Sequence, residues 1–285
     1  MLKAKKNAEQ IALFLDICED RRLSQNTTRT YDTALSDFFD YAGDIDKLFS
    51  EMSMLDIRAY KKQNLGQLAP ASQNLKLSVV RRFYDTLAEY GEFTVNPVSM
   101  SFNNRLEKKA ITYVDDKNYK LLEGYFKQHS SDNYVLGLRL MYYSGLRVGE
   151  VGRVDLTRDI FEQRGQMYLK VHGKGAKERV VPVFSRAAAA QIKSYIANHE
   201  SLLPLRIGTS TSLYDYHLKQ APNEIDIPAY SCHDFRRGFA VNLYSKTHDL
   251  ELLRVLLGHE SYNTSLMYIR NVTVKVYDLP SELFA

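Results

Sequence analysis

The sequence predicts a mainly α-helical chain with one small antiparallel β-sheet, divided into two domains. Three observations predict it. Apolar residues recur at the helical period through most of the 285 residues, one stretch alone alternates at the strand period, and between roughly 100 and 110 both patterns lapse. A chain of this length is too long for one comfortable core and suits two.

The N-terminal part is read as helical throughout. In "SQNTTRTYDTALSDFFDYAGD", Tyr31, Leu35, Phe38, Phe39 and Tyr41 recur near the 3.6 period, behind cap candidates Asn26 and Thr27 and ahead of Gly43. In "SQNLKLSVVRRFYDTLAEYGEF", Ser72 is the expected cap, Leu75, Val79, Phe83 and Leu87 form an apolar stripe, and Gly91 is the expected terminator. Weaker patterns at about 7–18 and 53–63 complete a four-helix unit. The texture then changes: "TVNPVSMSFNNRLEKKAITYVDD" holds Asn96-Pro97, small polar residues and a charged run without sustained period. The domains are accordingly drawn as 1–105 and 106–285.

The second domain opens with a helix after Asp115 and Asp116 and another over about 132–144, ending at Ser144-Gly145. Its only clear β signal follows in "QMYLKVHGKGAKERVVPV". Met167, Leu169 and Val171 alternate with Tyr168, Lys170 and His172, and Gly173-Lys174-Gly175 supplies a turn before a second β-branched run. Helices return with "SRAAAAQIKSYIANHE" and continue to the end.

Composition narrows the partner. No apolar run reaches the roughly 18 residues of a membrane span, and the start, "MLKAKKNAEQ", leads into the mixed "IALFLDICEDRR" instead of a secretory leader, so a cytoplasmic protein is expected. Cys18 and Cys232 stand far apart without metal-ligand spacing and are read as reduced and structural. The net charge is +4, but residues 1–107 carry 14 Lys+Arg against 15 Asp+Glu while 108–285 carry 24 against 19. If there is an anionic ligand, the second domain is where to look for it.

The second domain also holds an inventory suited to phosphodiester chemistry. Breaking a phosphodiester without a metal takes guanidinium forks for the two non-bridging oxygens, a nucleophile with a base to accept its proton, and an acid for the leaving 5′-oxygen. The candidates are Arg147 in "YYSGLRVGEV", Lys174 between two glycines, His233 and Arg236 in "CHDFRRGFA", His259 after Gly258, and Tyr268 in "LGHESYNTSLMYIR". Taken singly, each has an ordinary use: an ion pair of Arg147 with Glu150, a turn lysine, a capping histidine, one of 20 tyrosines packed in a core.

Taken together and in order, "GLRVGEV", "GKGAKERVVPV", "HDFRRGFA", "LLGH" and a Tyr nine residues beyond that His resemble the tyrosine recombinase (phage integrase) family, most closely its compact Xer-like members. "SQNTTRTYDTALSDFFDYAG" is similar to the family's N-terminal core-binding domain. The resemblance implies that Arg147 and Arg236 clamp the scissile phosphate and that Lys174 protonates the leaving oxygen. It also implies His233 as base and proton shuttle, His259 as a hydrogen-bond donor to the phosphate, Tyr268 as nucleophile and Glu150 as an orienting carboxylate. Tyr268 would form a 3′-phosphotyrosyl link and release a 5′-hydroxyl, with phosphodiester energy conserved, so no cofactor and no metal is implied.

The partner implied is a double-stranded DNA recombination site, gripped by both domains as a C-shaped clamp. A homo-oligomer goes with it, a dimer on each site and a tetramer in the synapse, exchanging strands through a Holliday junction. The apolar tail over 271–285 is expected to dock on a neighbouring protomer, with packing in cis as the alternative. The helix around Gln73, Lys76 and Arg82 is the candidate for groove and phosphate contacts, or else a merely solvated face. Resolution of cointegrates or replicon dimers is the expected role. Phage-type integration or excision, and type IB topoisomerase-like relaxation, are the alternatives.

One geometric expectation comes from spacing. On one unbroken helix, nine residues would put His259 and Tyr268 about 13 Å apart on opposite faces. Gly258 as a stop and Ser261, Asn263 and Thr264 as a new N-cap predict a break, with Tyr262 on the connecting turn and Tyr268 on its own short helix.

Overall fold

The computed structural model describes residues 2–107, 111–173, 178–198 and 205–269. The chain divides into two units, Met1–Lys108 and Lys109–Ala285.

The first unit holds α1 (Leu2–Asp20), α2 (Gln25–Asp44), α3 (Met54–Gln63) and α4 (Pro70–Ala88). The cap of α2 is Ser24, whose side chain accepts from the Thr27 N–H, so Asn26 and Thr27 lie inside the helix instead of capping it. Helix α3 opens on a capping box, with the Ser53 N–H donating to Asp56 Oδ2 at 2.8 Å. Ser72 does not cap α4. That helix starts two residues earlier at Pro70, whose fixed φ suits the first helical position and whose missing N–H costs nothing there. It stops at Ala88, three residues short of Gly91.

Val79, Phe83 and Leu87 are buried as the stripe requires, but Leu75 is 51% exposed. Leu77, Val80 and Tyr84 widen the buried face in its place. The core they enter is largely aromatic: Phe38 stacks on Phe49 at 5.1 Å, and Phe83 meets Phe14 edge-on at 5.5 Å. Cys18 is buried there as a free thiol.

Of the residues proposed to meet DNA, Gln73 donates to the Leu68 carbonyl at 2.8 Å and accepts from Asn104, and Lys76 pairs with Asp37. Arg82 is the exposed one, its guanidinium 5.9 Å from the centre of the Tyr31 ring.

The second unit begins with α5 (Asp116–His129), capped by Asp115, then α6 (Asp132–Tyr143) and the single turn α7 (Val148–Val151). A three-stranded antiparallel sheet follows in the order β1-β2-β3, from Ile160–Gln163, Gln166–His172 and Glu178–Pro182. Strand β2 buries Met167, Leu169 and Val171 on one face, matching its alternation. Strand β1 has no such signal: most of its residues are exposed, and pairing of Ile160 with Leu169 and of Phe161 with Tyr168 makes it a strand.

Helices α8 (Arg186–Asn198), α9 (Thr211–Glu224), α10 (Cys232–Thr247), α11 (Leu250–Leu257) and α12 (Tyr262–Ile269) complete the described residues. Helix α10 packs against α6, α11 and α12 and is the central support of the site. Helix α11 ends at Gly258 in the left-handed conformation (φ 62°), so the break between His259 and Tyr268 is present. Tyr262 is not on the connecting turn but opens α12, its hydroxyl donating to Glu251 Oε2 at 2.7 Å. Among the described residues no helix is long and apolar enough to cross a membrane.

Candidate active site

The site is assembled where α6 turns into α7. Gly145 adopts φ 66°, and a Cβ built on it would lie 2.5 Å from the Phe239 ring, so both the conformation and the close approach demand glycine. That turn delivers Arg147 to the N-terminus of α7. Glu150 Oε2 accepts the Arg147 backbone N–H at 2.7 Å, and Oε1 accepts Arg147 Nη1 at 2.9 Å. This is no surface ion pair, because the Glu150 side chain is only 2% exposed.

A second arginine explains how the carboxylate stays buried. Arg179 of β3 donates Nη1 and Nη2 to the two Glu150 oxygens at 2.9 and 2.8 Å, a bidentate fork, and Arg236 Nη1 lies 3.7 Å from Oε2. Burial by itself would raise the Glu150 pKa. The hydrogen bonds and charge of Arg179, with the Arg147 N–H, outweigh it and hold the group at about 2.

Helix α10 supplies the next pair. Asp234 Oδ2 accepts both the N–H and the hydroxyl of Ser231, at 2.8 and 2.7 Å, which fixes the first turn carrying His233 and, three residues on, Arg236. Arg236 is fully buried and donates to the Gly145 carbonyl at 2.6 Å and the Leu257 carbonyl at 2.5 Å. Its Nε has no hydrogen-bond partner among the described residues, an orphaned donor beside a cleft. Burial and then the charge of Arg147 lower its pKa to about 10, which leaves it charged at neutral pH.

Arg236 Nη2 lies 3.2 Å from His259 Nε2, so that nitrogen accepts and the imidazole proton sits on Nδ1, donating to Ser265 Oγ of α12 at 2.9 Å. Burial, then the charge of Arg236, push His259 down to about 3, keeping it neutral. In this arrangement His259 is an acceptor from Arg236. Donation to a phosphate, the role the resemblance implies, would need its Nε2 to exchange that partner and carry the proton.

The Tyr268 hydroxyl is 2.7 Å from His233 Nε2, and the Tyr268 ring lies 5.4 Å from the His233 ring and 5.0 Å from that of His259. Burial, then the charges of Arg237 and Arg236, lower the His233 pKa and favour the neutral ring that can take a phenolic proton. Tyr268 itself is 8% exposed.

Arg147, Glu150, Arg179, His233, Arg236 and His259 line an open cleft of about 1270 Å³. Gly173 and Glu178, the described residues on either side of 174–177, line it too, while Lys174 lies outside the described residues. The fold thus brings together five of the six expected residues and Glu150. Gln73, Lys76 and Arg82 belong to the other unit.

Reading the sequence missed Arg179 and Ser265. For Arg179 a signal existed: it sits two residues before buried Val181 on the same face of β3, and a charge pointing inward from a strand needs a buried partner. Ser265 carries no such mark. Chemically, the cluster offers buried and half-exposed guanidinium groups for an anion in the cleft, with a hydroxyl already hydrogen-bonded to a neutral base beside it.

Comparison with known proteins agrees with this chemistry. The model of the phage integrase family matches residues 113–273, and that of the phage integrase N-terminal SAM-like domain matches 11–91. The tyrosine recombinase XerC of Pelobacter propionicus is 30% identical over 295 residues, covering 95% of this chain and 94% of that protein. The tyrosine recombinase XerD of Rhizobium meliloti is 28% identical over 300 residues, covering 96% and 94%. Among solved structures, the XerH recombinase in a post-cleavage complex with its difH substrate superposes with a TM-score of 0.74 at 17% identity, covering 91% of this chain and 81% of that one. A lambda integrase dimer on a core site gives 0.73 at 18%, covering 96% and 79%. At such identities these two likenesses speak for the fold.

Proposed function

The chain belongs to the phage integrase family, the tyrosine recombinases, and from that premise we propose that it breaks and rejoins two DNA duplexes at specific sites with Tyr268 as nucleophile. The observation that carries this reading is the 2.7 Å contact of the Tyr268 hydroxyl with His233 Nε2, beside two arginines in one cleft. Among 20 tyrosines, this one is already bonded to a base at the place where an anion would sit.

In the reaction read here, the phenolic proton passes to His233 as the oxygen attacks phosphorus. Arg147 and Arg236 face the non-bridging oxygens, with the unpartnered Arg236 Nε as the donor still free for one of them. The P–O5′ bond breaks and Lys174 gives its proton to the departing oxygen, leaving a 3′-phosphotyrosyl link. Attack by the 5′-hydroxyl of the partner duplex reverses these steps, so neither ATP nor a metal enters the balance.

Strand exchange of this kind takes four protomers on two sites, and the reading includes a Holliday junction between two rounds of cleavage. It assigns residues 271–285, which lie outside the described residues, to docking on a neighbouring protomer. It gives the first unit a share of the DNA grip, with exposed Arg82 the most available of the three candidates there. Removing 274–285 should weaken cooperative binding to paired sites, measured by gel shift; unchanged synapsis would place the tail in cis. The reading takes resolution of cointegrates or replicon dimers, in the cytoplasm, as the biological role.

The test uses duplexes selected from a random pool by binding to the Tyr268→Phe variant, then nicked near the site so that cleavage traps the intermediate. The parent protein should become covalently joined to a DNA 3′-end and yield exchanged strands, while Tyr268→Phe does neither. DNA relaxation without exchange would make it a topoisomerase-like enzyme, and no covalent DNA would remove Tyr268 from its role.

A further inference from the structure

Among the described residues, the ion-pair partner of Glu150 that the proposed reaction leaves unused is Arg179. Its side chain is 9% exposed and each of its three guanidinium nitrogens is engaged: Nη1 and Nη2 with Glu150, and Nε with the Leu256 carbonyl at 2.8 Å. A residue placed to grip phosphate would keep donors pointed at the cleft. Arg179 points its fork into the protein instead.

What those contacts join is informative. Glu150 holds the Arg147 backbone N–H and side chain. Leu256 lies next to Leu257, whose carbonyl accepts from Arg236, and two residues before Gly258, the stop that precedes His259. The Arg179 stem lies directly against that stop, since a Cβ built on Gly258 would be 3.0 Å from Arg179 Cδ. One side chain thus touches the support of Arg147, the end of α11 that anchors Arg236, and the turn leading to His259.

We infer that Arg179 is a positioning residue for the phosphate clamp, holding Arg147 through Glu150 and Arg236 through the end of α11, without contact to the DNA. This rests on the recombinase reading, and it extends it to a residue outside the catalytic set. Shape matters as well as charge: a lysine keeps the cation but can supply neither the fork nor the simultaneous bond to Leu256.

The test measures the rate of 3′-covalent adduct formation on the nicked duplex for the parent and for Arg179→Lys, Arg179→Gln, Glu150→Gln and the Arg179→Gln/Glu150→Gln pair, with DNA affinity and melting temperature recorded beside it. Both Arg179 variants should slow adduct formation by about 100-fold, the scale of a lost oriented donor, while DNA affinity stays within about 3-fold. The paired variant should be no slower than the slower single one, because both act on one clamp. A duplex with sulfur at the bridging 5′ position, which leaves without an acid, should keep the defect.

Arg179→Lys at the parent rate, multiplied effects in the pair, or full rescue by the sulfur substrate would each overturn the inference. Arg179→Lys keeps the cation and an aliphatic stem, so it still tests the point if Arg179→Gln fails to fold. An inert parent protein would instead overturn the reading on which the inference stands.

Discussion

The two units bury very different things. The first closes on stacked and edge-on rings, and among its described residues the buried polar side chains, Asn7, Gln10 and Thr86, are all neutral. The second buries Glu150, Asp155, Asp159, Asp234, Arg236 and His259 within a core of otherwise similar make-up. Desolvating charge costs free energy that apolar packing does not, so it persists only where partners compensate and where something other than stability is served. Two of these charges, Glu150 and Arg236, line one cleft beside neutral His259, and the contrast marks that cleft as the working part of the molecule.

Four experiments can break or sharpen this contrast. The largest effect is expected from Arg236→Ala, which should lower the rate of covalent adduct formation by roughly 10²–10³-fold. It should also destabilise the second unit by about 1–3 kcal/mol, because the Gly145 and Leu257 carbonyls lose their donor. Single-turnover kinetics and denaturant unfolding read the two effects. Next is Phe83→Ala in the first unit, which should cost about 3–5 kcal/mol of stability but leave cleavage per folded, DNA-bound molecule within about 3-fold. If the order of the two variants on activity were reversed, the division of labour between the units would be wrong.

Acid should separate the units as well. All seven histidines lie in the second unit, and burial holds His259 at about 3, below its ordinary 6.5, and also lowers His217 and His233. The unfolded chain binds those protons first, so their contribution to stability is present above about pH 6.5 and is lost as pH falls toward 3. In the first unit, burial would raise Asp56, but Lys47 and Ser53 hold it at about 2, so its contribution is lost only as pH falls from about 4 to 2. Peptide-resolved hydrogen exchange between pH 7 and 5 should show weakening protection in the second unit and little change in the first. Equal loss in both would break the comparison.

The smallest effect is expected from Ser265→Ala. Losing the acceptor for His259 Nδ1–H should cost about 1 kcal/mol and slow adduct formation by about 10-fold or less. A rate unchanged within error would show that α12 needs no tether from Ser265 to present Tyr268.

Much of the fold was legible because its signals are local. The amphipathic period of α2 and α4, the alternation of β2 and the stop at Gly258 each follow from residues within a turn or two of one another. The misreadings fell where local signals compete or vanish. Ser72 and Pro70 are both good helix openers, and Pro70 prevailed because it stands further upstream with an ideal φ. Strand β1 exposes most of its side chains, so no alternation betrays it.

For the site, the ordered motifs and the family resemblance they carry pointed to Arg147, His233, Arg236, His259 and Tyr268, which the structure brings together. Only the tertiary structure decided how they are held. The fork of Arg179 on Glu150 spans 29 residues, the bond of Arg236 to Gly145 spans 91, and that of Tyr268 to His233 spans 35. The physical reason is that periodicity and motif spacing report which groups a segment carries. Desolvation and hydrogen-bond partnership, which set whether a histidine is neutral and which donors an arginine has left, arise only when distant segments close on one another.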